Sequence, residues 1–203
     1  MPTFSAPSIP TISASPAIHR HAQLHLALAK NEHEIREAQR LRYQVFSEEL
    51  GARLCEQIPG HDTDVFDMHC DHLLVRNHPA GQVIGTYRII SPRVASAVGN
   101  YYAESEFTLR SLDAFRPRMV EIGRFCIHPD YRNSGVMALL WSGLGRYVAR
   151  GDYAYLIGCA SISMADGGHN AANLYQQLGE GQKIASGYQV TPLQPFPHAQ
   201  LAD

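Results

Sequence analysis

The strongest constraint on the fold is a strand, a turn and a helix that follow one another directly. The segment Met119–Ile127 has a strong strand pattern, and the polar turn His128–Gly135 comes next. The segment Val136–Arg150 then repeats its leucines at three- and four-residue spacing, which is typical of a helix with one buried side. We therefore expect an α/β fold in which helices cover a sheet.

Strand and helix patterns on either side of this unit predict the order β-α-β-β-β-α-β-α-β. The clearest of them is a helix over Glu32–Leu50, capped by Asn31 and ended by Gly51, because its apolar residues recur at helical spacing. The other predicted elements are strands over Gln23–Ala29, Asp71–Val75, Gln82–Ile90, Tyr153–Ile162 and Tyr188–Pro192 and a helix over Asn170–Leu178. The second and third strands are joined by a turn-forming segment and should pair antiparallel.

Two segments lack a regular apolar period. Cys55–Asp67 is rich in acidic and turn-forming residues, so we predict a loop, and loops of this length often carry function. Ser91–Pro117 has apolar residues but no clean period, and its structure stays unassigned. Trp141 stands at helical spacing among leucines, which predicts a core position for its side chain.

Size, charge and cysteine usage exclude several classes of protein. With 203 residues, 45% of them hydrophobic, we expect one domain over residues 23–203 after a disordered tail over residues 1–22 that is unlike a secretory signal. A net charge of −2 gives no basic field for nucleic acid, and no apolar run reaches the roughly 20 residues of a transmembrane segment. Four scattered cysteines suit a reducing compartment. We expect a cytoplasmic protein whose only membrane contact would be peripheral.

Eleven histidines raise the question of a metal site. None of them forms the helical pair four residues apart, with a nearby carboxylate, that zinc hydrolases use. We therefore expect no bound metal.

The junction of the predicted strand and helix carries the sequence Arg132-Asn133-Ser134-Gly135. The free backbone N–H groups and the dipole of a helix start make a preformed anion site, for which phosphate is a natural ligand. Arg132 can hold two phosphate oxygens at once, and Gly135 leaves room for a ligand to approach the backbone. The alternative is an ordinary helix start with a surface arginine.

This turn resembles the Arg/Gln-x-x-Gly-x-Gly/Ala turn that binds the pantetheine phosphate in the GCN5-related N-acetyltransferase superfamily. The segment Leu174-Tyr175-x-x-Leu178-Gly179 is similar to a late helix of the same superfamily. The resemblance implies that superfamily's fold, a mixed, mostly antiparallel sheet flanked by helices, and an acyl donor bound by Ile127, Arg132, Asn133, Ser134, Gly135 and Val136. Met137 replaces the last Gly or Ala of the turn, which favours the single phosphate of an acyl-carrier-protein arm over the pyrophosphate of coenzyme A.

A second resemblance rests on residues scattered along the chain. The set Arg42, Phe46, Asp64, Asp67, Arg88, Glu121 and Arg124 resembles the charged set of acyl-homoserine-lactone autoinducer synthases. Longer motifs are similar to the ornithine N-acyltransferases that make lyso-ornithine lipid, often labelled haemolysins: Cys70–Val75, Gly85–Arg88, Tyr102–Phe107, Cys126–Arg132, Leu139–Trp141 and Gly158–Ile162. This resemblance implies transfer of a (3-hydroxy)acyl group from acyl carrier protein to the α-amine of L-ornithine. The acyl-phosphopantetheine thioester would be a co-substrate, with no permanently bound cofactor.

Aminolysis of a thioester needs a base for the amine proton, and Glu121 is the candidate. A carboxylate that projects from a strand into a cleft loses hydration, so its pKa rises. We expect Glu121 to lie on the side of the sheet where the helix start at Gly135 holds the donor. The alternative is an ion pair between Glu121 and Arg124, although residues three apart in a strand point to opposite faces.

The resemblance also assigns a substrate-binding set, namely Arg42, Phe46, Asp64, Asp67 and Arg88. Arg88 and Arg124 would orient the base or bind the carboxylate of an amino-acid acceptor, and either could also be a solvated charge at a strand end. Asp64 and Asp67 would bind the cationic groups of ornithine. Asp62, which has no counterpart in the motif, is interpreted as a surface acid.

Several alternatives stay open. Tyr175 would protonate the departing thiolate or simply pack as a core tyrosine. The acceptor could differ, as in N-acyl amino acid or acyl-homoserine-lactone-type synthesis, or the donor could be acetyl-CoA. A rival of another class is a non-catalytic, haemolysin-like or thioester-binding protein. For docking of the acidic acyl carrier protein, the candidate residues are Arg93, Arg110, Arg116, Arg118 and Arg132.

Overall fold

The fold is taken from a computed structural model, which describes residues 23–54, 57–181, 187–198 and 201. The expected tail over residues 1–22 lies outside the described residues. In chain order the elements are β1 (Gln23–Leu28), α1 (Glu32–Tyr43), β2 (Asp71–His78), β3 (Val83–Ile90), α2 (Pro92–Val98), β4 (Phe107–Thr108), β5 (Met119–Ile127), α3 (Val136–Arg150), β6 (Tyr155–Ile157), α4 (His169–Gly181) and β7 (Thr191–Pro192).

Five of the strands form one sheet in the order β1-β2-β3-β5-β6. The first three junctions are antiparallel, and β6 alone runs parallel to its neighbour β5. The remaining strands, β4 and β7, form a separate two-stranded sheet. The predicted mixed, mostly antiparallel sheet is therefore confirmed.

Helices cover both faces of the sheet. On one face, Ala38 and Leu41 of α1 and Val45, which follows it, pack in a cluster with Leu74, Val83 and Cys126. On the other face, α3 packs Val136, Leu140 and Leu144 against Val75, Ile89 and Val120. The approach of α3 is close because Gly85 of β3 has no side chain, and a Cβ atom there would lie 2.5 Å from Cγ1 of Val136.

The first helical region has close to its predicted limits, but its geometry changes from α-helical to π-helical along the chain. Asn31 caps it as expected, because its side-chain oxygen accepts the N–H of Glu34 at 3.0 Å. The α-helical part ends at Tyr43, and the chain continues as a π-helix over Gln44–Glu49. Gly51 then adopts a left-handed conformation with φ of 70°.

The unassigned segment Ser91–Pro117 contains short elements. Ser91 caps α2, with Pro92 in the first turn, so a helix-start signal was present in the sequence. Two 3₁₀-helical stretches, Tyr102–Ser105 and Arg110–Arg118, carry the rest of the segment toward β5.

Two strand predictions are wrong in extent. The ten-residue strand predicted over Tyr153–Ile162 is a strand only at Tyr155–Ile157, because its one partner in the sheet, β5, stays in register with it only from Met119 to Glu121. The strand predicted over Tyr188–Pro192 is reduced to two exposed residues that pair with β4 outside the main sheet. Within the described ranges, neither segment has a neighbouring strand along its full length, which an apolar pattern alone cannot reveal.

Trp141 does not lie in the core as predicted. Its side chain is 49% exposed on α3, and its ring forms a T-shaped contact with the ring of Tyr87 at a centroid distance of 6.2 Å. Among the described residues, none of the helices combines the length and the apolar character required to span a bilayer.

Candidate active site

A bulge in β5 interrupts its pairing with β3. Thr86 pairs with Cys126 and Arg88 pairs with Gly123, so Arg124 and Phe125 together stand opposite Tyr87 alone. Arg124 has φ of 51°, a left-handed conformation that costs a residue with a side chain about 1–3 kcal/mol. Strain of this kind persists where surrounding contacts hold it, and it is concentrated at functional sites.

Glu121 lies on the face of the sheet opposite to α3. Its neighbours Val120 and Ile122 pack into the cluster under α3, so the side chain between them points the other way. It is 2% exposed, and its two carboxylate oxygens accept the backbone N–H groups of Tyr102 at 2.7 Å and Ala103 at 2.8 Å. Burial raises the pKa of Glu121 to about 7 against these two hydrogen bonds, as the sequence predicted in direction.

Asp67 is the centre of a buried ionic network on the same face. Arg42 donates from both terminal nitrogens to its two carboxylate oxygens, at 3.0 and 2.7 Å. Gln39 donates at 2.9 Å and Arg88 at 3.0 Å. Burial alone would raise the pKa of Asp67, but Arg42 and Arg88 hold it well below the usual range of an aspartate.

The two other loop acids extend the network toward β5. An oxygen of Asp62 lies 2.8 Å from Nε of Arg42 and 3.1 Å from Nε of Arg124. An oxygen of Asp64 accepts hydrogen bonds from Arg88 at 2.6 Å and from Arg124 at 3.3 Å. The interpretation of Asp62 as a surface acid is wrong, because the residue is 2% exposed between two arginines.

Tyr102 links this network to Glu121. Its ring centroid lies 5.7 Å from the guanidinium carbon of Arg88 and 5.2 Å from that of Arg124. Its backbone N–H is one of the two that hold Glu121. The sequence assigned no role to Tyr102, although the residue lies in a motif shared with the ornithine N-acyltransferases.

The network has a buried part and an accessible edge. The side chains of Arg42, Asp67 and Arg88 are at most 2% exposed, so their charges are used inside the protein. The side chains of Asp64 and Arg124 are 20% and 23% exposed, and both can meet a small polar ligand. Arg124 turns to these acids, and the alternative ion pair with Glu121 is not formed.

At the predicted phosphate turn, no side chain among the described residues caps the start of α3. Gly135 takes φ of 83° at the start of α3, and the N–H of Leu139 donates back to its carbonyl at 3.0 Å. The preceding N–H groups of the first turn have no acceptor within the helix. Arg132 is turned to Glu49, with which it forms two hydrogen bonds of 2.7 and 2.6 Å. The side chain of Met137 is 49% exposed beside this turn.

The turn and Glu121 do not lie on the same side of the sheet. Because α3 covers the face opposite to Glu121, our expectation of a shared side is wrong. In the described part of the chain, the ladder between β5 and β6 ends at the pair Glu121–Ile157. Beyond that pair, the β5 edge from Gly123 to Ile127 is not paired with β6.

Two further predicted site residues lie on other elements than those that carry the network. Phe46 belongs to the π-helical segment and packs against the buried cluster that includes Leu74 and Val83. Tyr175 of α4 is 59% exposed, with its ring centroid 4.1 Å from that of His198. Within the described ranges, no group of three or more His, Cys, Asp or Glu side chains could hold a metal ion.

The acetyltransferase (GNAT) domain family has a sequence model that matches residues 41–142, the part of the chain that carries both the acidic loop and the phosphate turn. The chain belongs to the GNAT acetyltransferase family.

Curated relatives of this GNAT protein include two named L-ornithine N(alpha)-acyltransferase. The one from Agrobacterium fabrum is 40% identical over 152 residues, which cover 70% of this chain and 52% of the relative. The one from Brucella abortus is 37% identical over 152 residues, which cover 70% of this chain and 54% of the relative. The GNAT chain therefore spans about half the length of the curated relatives it matches. The resemblance seen in the sequence motifs is confirmed.

Solved structures support the same fold. The acyl-homoserine-lactone synthase LasI superposes with a TM-score of 0.52 at 18% identity, covering 75% of this chain and 79% of LasI. The CoA-dependent acyl-homoserine-lactone synthase BjaI superposes with a TM-score of 0.51 at 17% identity, covering 85% of this chain and 82% of BjaI. At such identities the likeness concerns the fold of the GNAT domain alone.

Proposed function

We propose that this GNAT protein transfers a (3-hydroxy)acyl group from acyl carrier protein to the α-amine of L-ornithine, giving lyso-ornithine lipid. One observation carries the proposal: the accessible charges of Asp64 and Arg124 meet at the edge of the ionic network. Tyr102, whose ring lies against Arg124 and whose N–H binds Glu121, connects this edge to Glu121. A zwitterionic amino acid needs such a pair of opposite charges, and the named relatives act on ornithine.

The donor would be held at the start of α3. The N–H groups of the first turn and the guanidinium of Arg132 would bind the pantetheine phosphate, flanked by Asn133 and Ser134. The extended pantetheine arm would follow the unpaired edge of β5 from Ile127 toward Glu121, and so reach the opposite face. The exposed Met137 favours the single phosphate of a carrier-protein arm over a pyrophosphate.

The acceptor would bind at the accessible edge of the ionic network. Arg124 would take the α-carboxylate of ornithine and Asp64 its side-chain ammonium group. Arg42, Asp67 and Arg88 are positioning residues in this arrangement, because all three are buried. Arg88 pairs with Asp64, whose backbone N–H donates to Asp67, and Arg42 in turn pairs with Asp67. The left-handed backbone of Arg124 aims its side chain at this edge.

The chemistry is direct aminolysis. The neutral α-amine attacks the thioester carbonyl carbon, and a new C–N bond forms as the carbonyl becomes an oxyanion. Glu121 accepts the amine proton, which suits a carboxylate with a pKa of about 7. Its oxygens use one lone pair each for Tyr102 and Ala103, so others remain for the proton. The C–S bond then breaks, and the thiolate takes a proton, a step assigned to Tyr175.

The proposal includes the partner and the compartment. Acyl carrier protein is acidic, and of the five candidate docking arginines, Arg116, Arg118 and Arg132 are already paired with protein carboxylates. Arg93 and Arg110 are exposed and would form the docking contact. A donor and an acceptor from central metabolism imply a cytoplasmic location, with peripheral membrane contact for release of the lipid product.

The test is an assay of the purified chain with 3-hydroxyacyl carrier protein and L-ornithine, followed by mass spectrometry of the product. We expect N-acyl ornithine from the wild type and a loss of about 10²–10⁴ in kcat in Glu121→Gln. Parallel reactions replace the donor by acetyl-CoA or acyl-CoA and the acceptor by L-tyrosine. Turnover of acetyl-CoA or tyrosine with none of ornithine would contradict the proposal, as would lysis of erythrocytes without any donor.

A further inference from the structure

Arg132, the arginine proposed to bind the donor phosphate, is already paired with a carboxylate. The two terminal nitrogens of Arg132 donate to the two carboxylate oxygens of Glu49, at 2.7 and 2.6 Å. The side chains are 45% and 32% exposed, so solvent and ligands can reach the pair. The arginine lowers the pKa of Glu49, which keeps the acid ionised at neutral pH.

A π-helical segment places Glu49 there. Residues five apart in an α-helix point about 140° away from each other, whereas the i to i+5 pattern of a π-helix brings them to one side. Gln44 and Glu49 are five apart in the π-helical segment, and both face the turn before α3. The amide nitrogen of Gln44 lies 3.4 Å from Nε2 of His128, and Glu49 binds Arg132.

A phosphate and a carboxylate compete for the same two N–H groups. Both present two oxygens at a spacing that matches the planar guanidinium. Exposed ion pairs are weak, so the singly charged phosphodiester of the carrier-protein arm can displace Glu49. The displaced carboxylate would then stand close to the bound phosphate and repel it.

We infer that Glu49 is a competitor of the donor phosphate for Arg132 and lowers the affinity of this protein for its acyl donor. The inference rests on the proposed function, because it takes the turn before α3 as the donor site. The same repulsion speeds release of the spent carrier arm. Glu49 would thus favour turnover over tight binding of a donor present in excess.

The test compares Glu49→Gln with Glu48→Gln in the full chain. Glu48 is exposed on the same segment, and its side chain makes no ion pair or hydrogen bond among the described residues, so it serves as a matched charge control. We expect the KM for 3-hydroxyacyl carrier protein to fall about three- to fivefold in Glu49→Gln. The KM for ornithine should not change, and Glu48→Gln should match the wild type in both constants.

Arg132→Gln, alone and combined with Glu49→Gln, separates the inference from the proposed function. We expect Arg132→Gln to raise the donor KM and the double variant to lose the gain of Glu49→Gln. If Arg132→Gln raises the donor KM while Glu49→Gln leaves it unchanged, the competitor role is refuted and the donor site stands. If Arg132→Gln has no effect on the donor KM, the donor site itself is refuted, and the inference with it. Melting temperatures of all variants within a few degrees of the wild type would exclude misfolding as the cause.

Discussion

Arg42 and Asp67 form a two-point ion pair that is closed off from solvent. The side chains are 0% and 1% exposed, and a carboxylate oxygen of Asp62 lies 2.8 Å from the remaining nitrogen of the guanidinium. A buried carboxylate that loses its cation keeps the full penalty of burial without compensation. The pair therefore joins α1 to the loop that carries Asp67. Removal of either partner would leave the other as a buried charge without its counter-ion in this pair.

We expect Arg42→Met to lower the free energy of unfolding by about 3–5 kcal/mol, because it leaves Asp62 and Asp67 without their shared cation. Urea denaturation at neutral pH measures the change. Arg118→Met is the control, since Arg118 forms an exposed pair with Asp152 whose loss should change stability by less than about 1 kcal/mol. Equal losses of unfolding free energy in both variants would contradict the prediction that the buried network stabilises the fold more than an exposed ion pair does.

The raised pKa of Glu121 predicts a pH-dependent stability. Its ordinary value is 4.5 and its value in the fold is about 7, so between these pH values the folded state holds a proton that the unfolded state has lost. Stability from this group is complete below pH 4.5 and is lost as the pH rises toward 7, by roughly 3 kcal/mol.

Glu121→Gln removes this titration. We expect the difference in unfolding free energy between wild type and variant to shift in favour of the variant between pH 5 and pH 8, because the other titrating groups are common to both proteins. Denaturation curves at several pH values provide the measurement. Parallel pH profiles for the two proteins would mean that Glu121 titrates normally.

Asp64 is predicted to set the affinity for the acceptor. Asp64→Asn removes the charge that would meet the side-chain ammonium of ornithine, and we expect the KM for ornithine to rise about tenfold or more. The KM for the acyl donor should stay unchanged. Asp113→Asn, a change at an exposed acid paired with Arg116, is the control. A rise in the KM for the acyl donor alone would contradict this prediction, because it would place Asp64 at the donor site.

The close approach of β3 and α3 gives a prediction on packing. A Cβ atom on Gly85 would lie 2.5 Å from Val136 and 3.2 Å from Leu140, so Gly85→Ala should destabilise the protein by about 1–3 kcal/mol. Gly145 of α3 has no atom within 4 Å of such a position, and Gly145→Ala should stabilise it by about 0.5–1 kcal/mol. Thermal unfolding of the two alanine variants should show opposite signs, and a stabilised Gly85→Ala would contradict the packing.

Predictions from the sequence are correct where the pattern that defines an element lies within the residues of that element. The limits of β5 and α3, the cap of α1 by Asn31 and the hairpin of β2 and β3 all follow from local apolar spacing and turn residues. Residues 153–162 were misread because apolar character indicates burial, whereas a strand also needs a partner. That partner leaves at Glu121, far away in the sequence.

The site was only partly predictable for a similar reason. The raised pKa of Glu121 follows from a carboxylate in an apolar strand, and the structure confirms its direction. Asp62 was missed because its burial depends on Arg42 and Arg124, which come from different elements. The face on which Glu121 lies relative to α3 depends on how the helix crosses the sheet, which no residue spacing records.

The early end of the ladder between β5 and β6 has a consequence for solvent exchange. Amide hydrogens of Gly123 to Ile127 that point away from β3 are held by no neighbouring strand in the described part of the chain, so they should exchange with deuterium quickly. A ligand that lies along this edge would act as a temporary sixth strand. The unpaired edge of β5 would then have a hydrogen-bonded neighbour only while the ligand is bound.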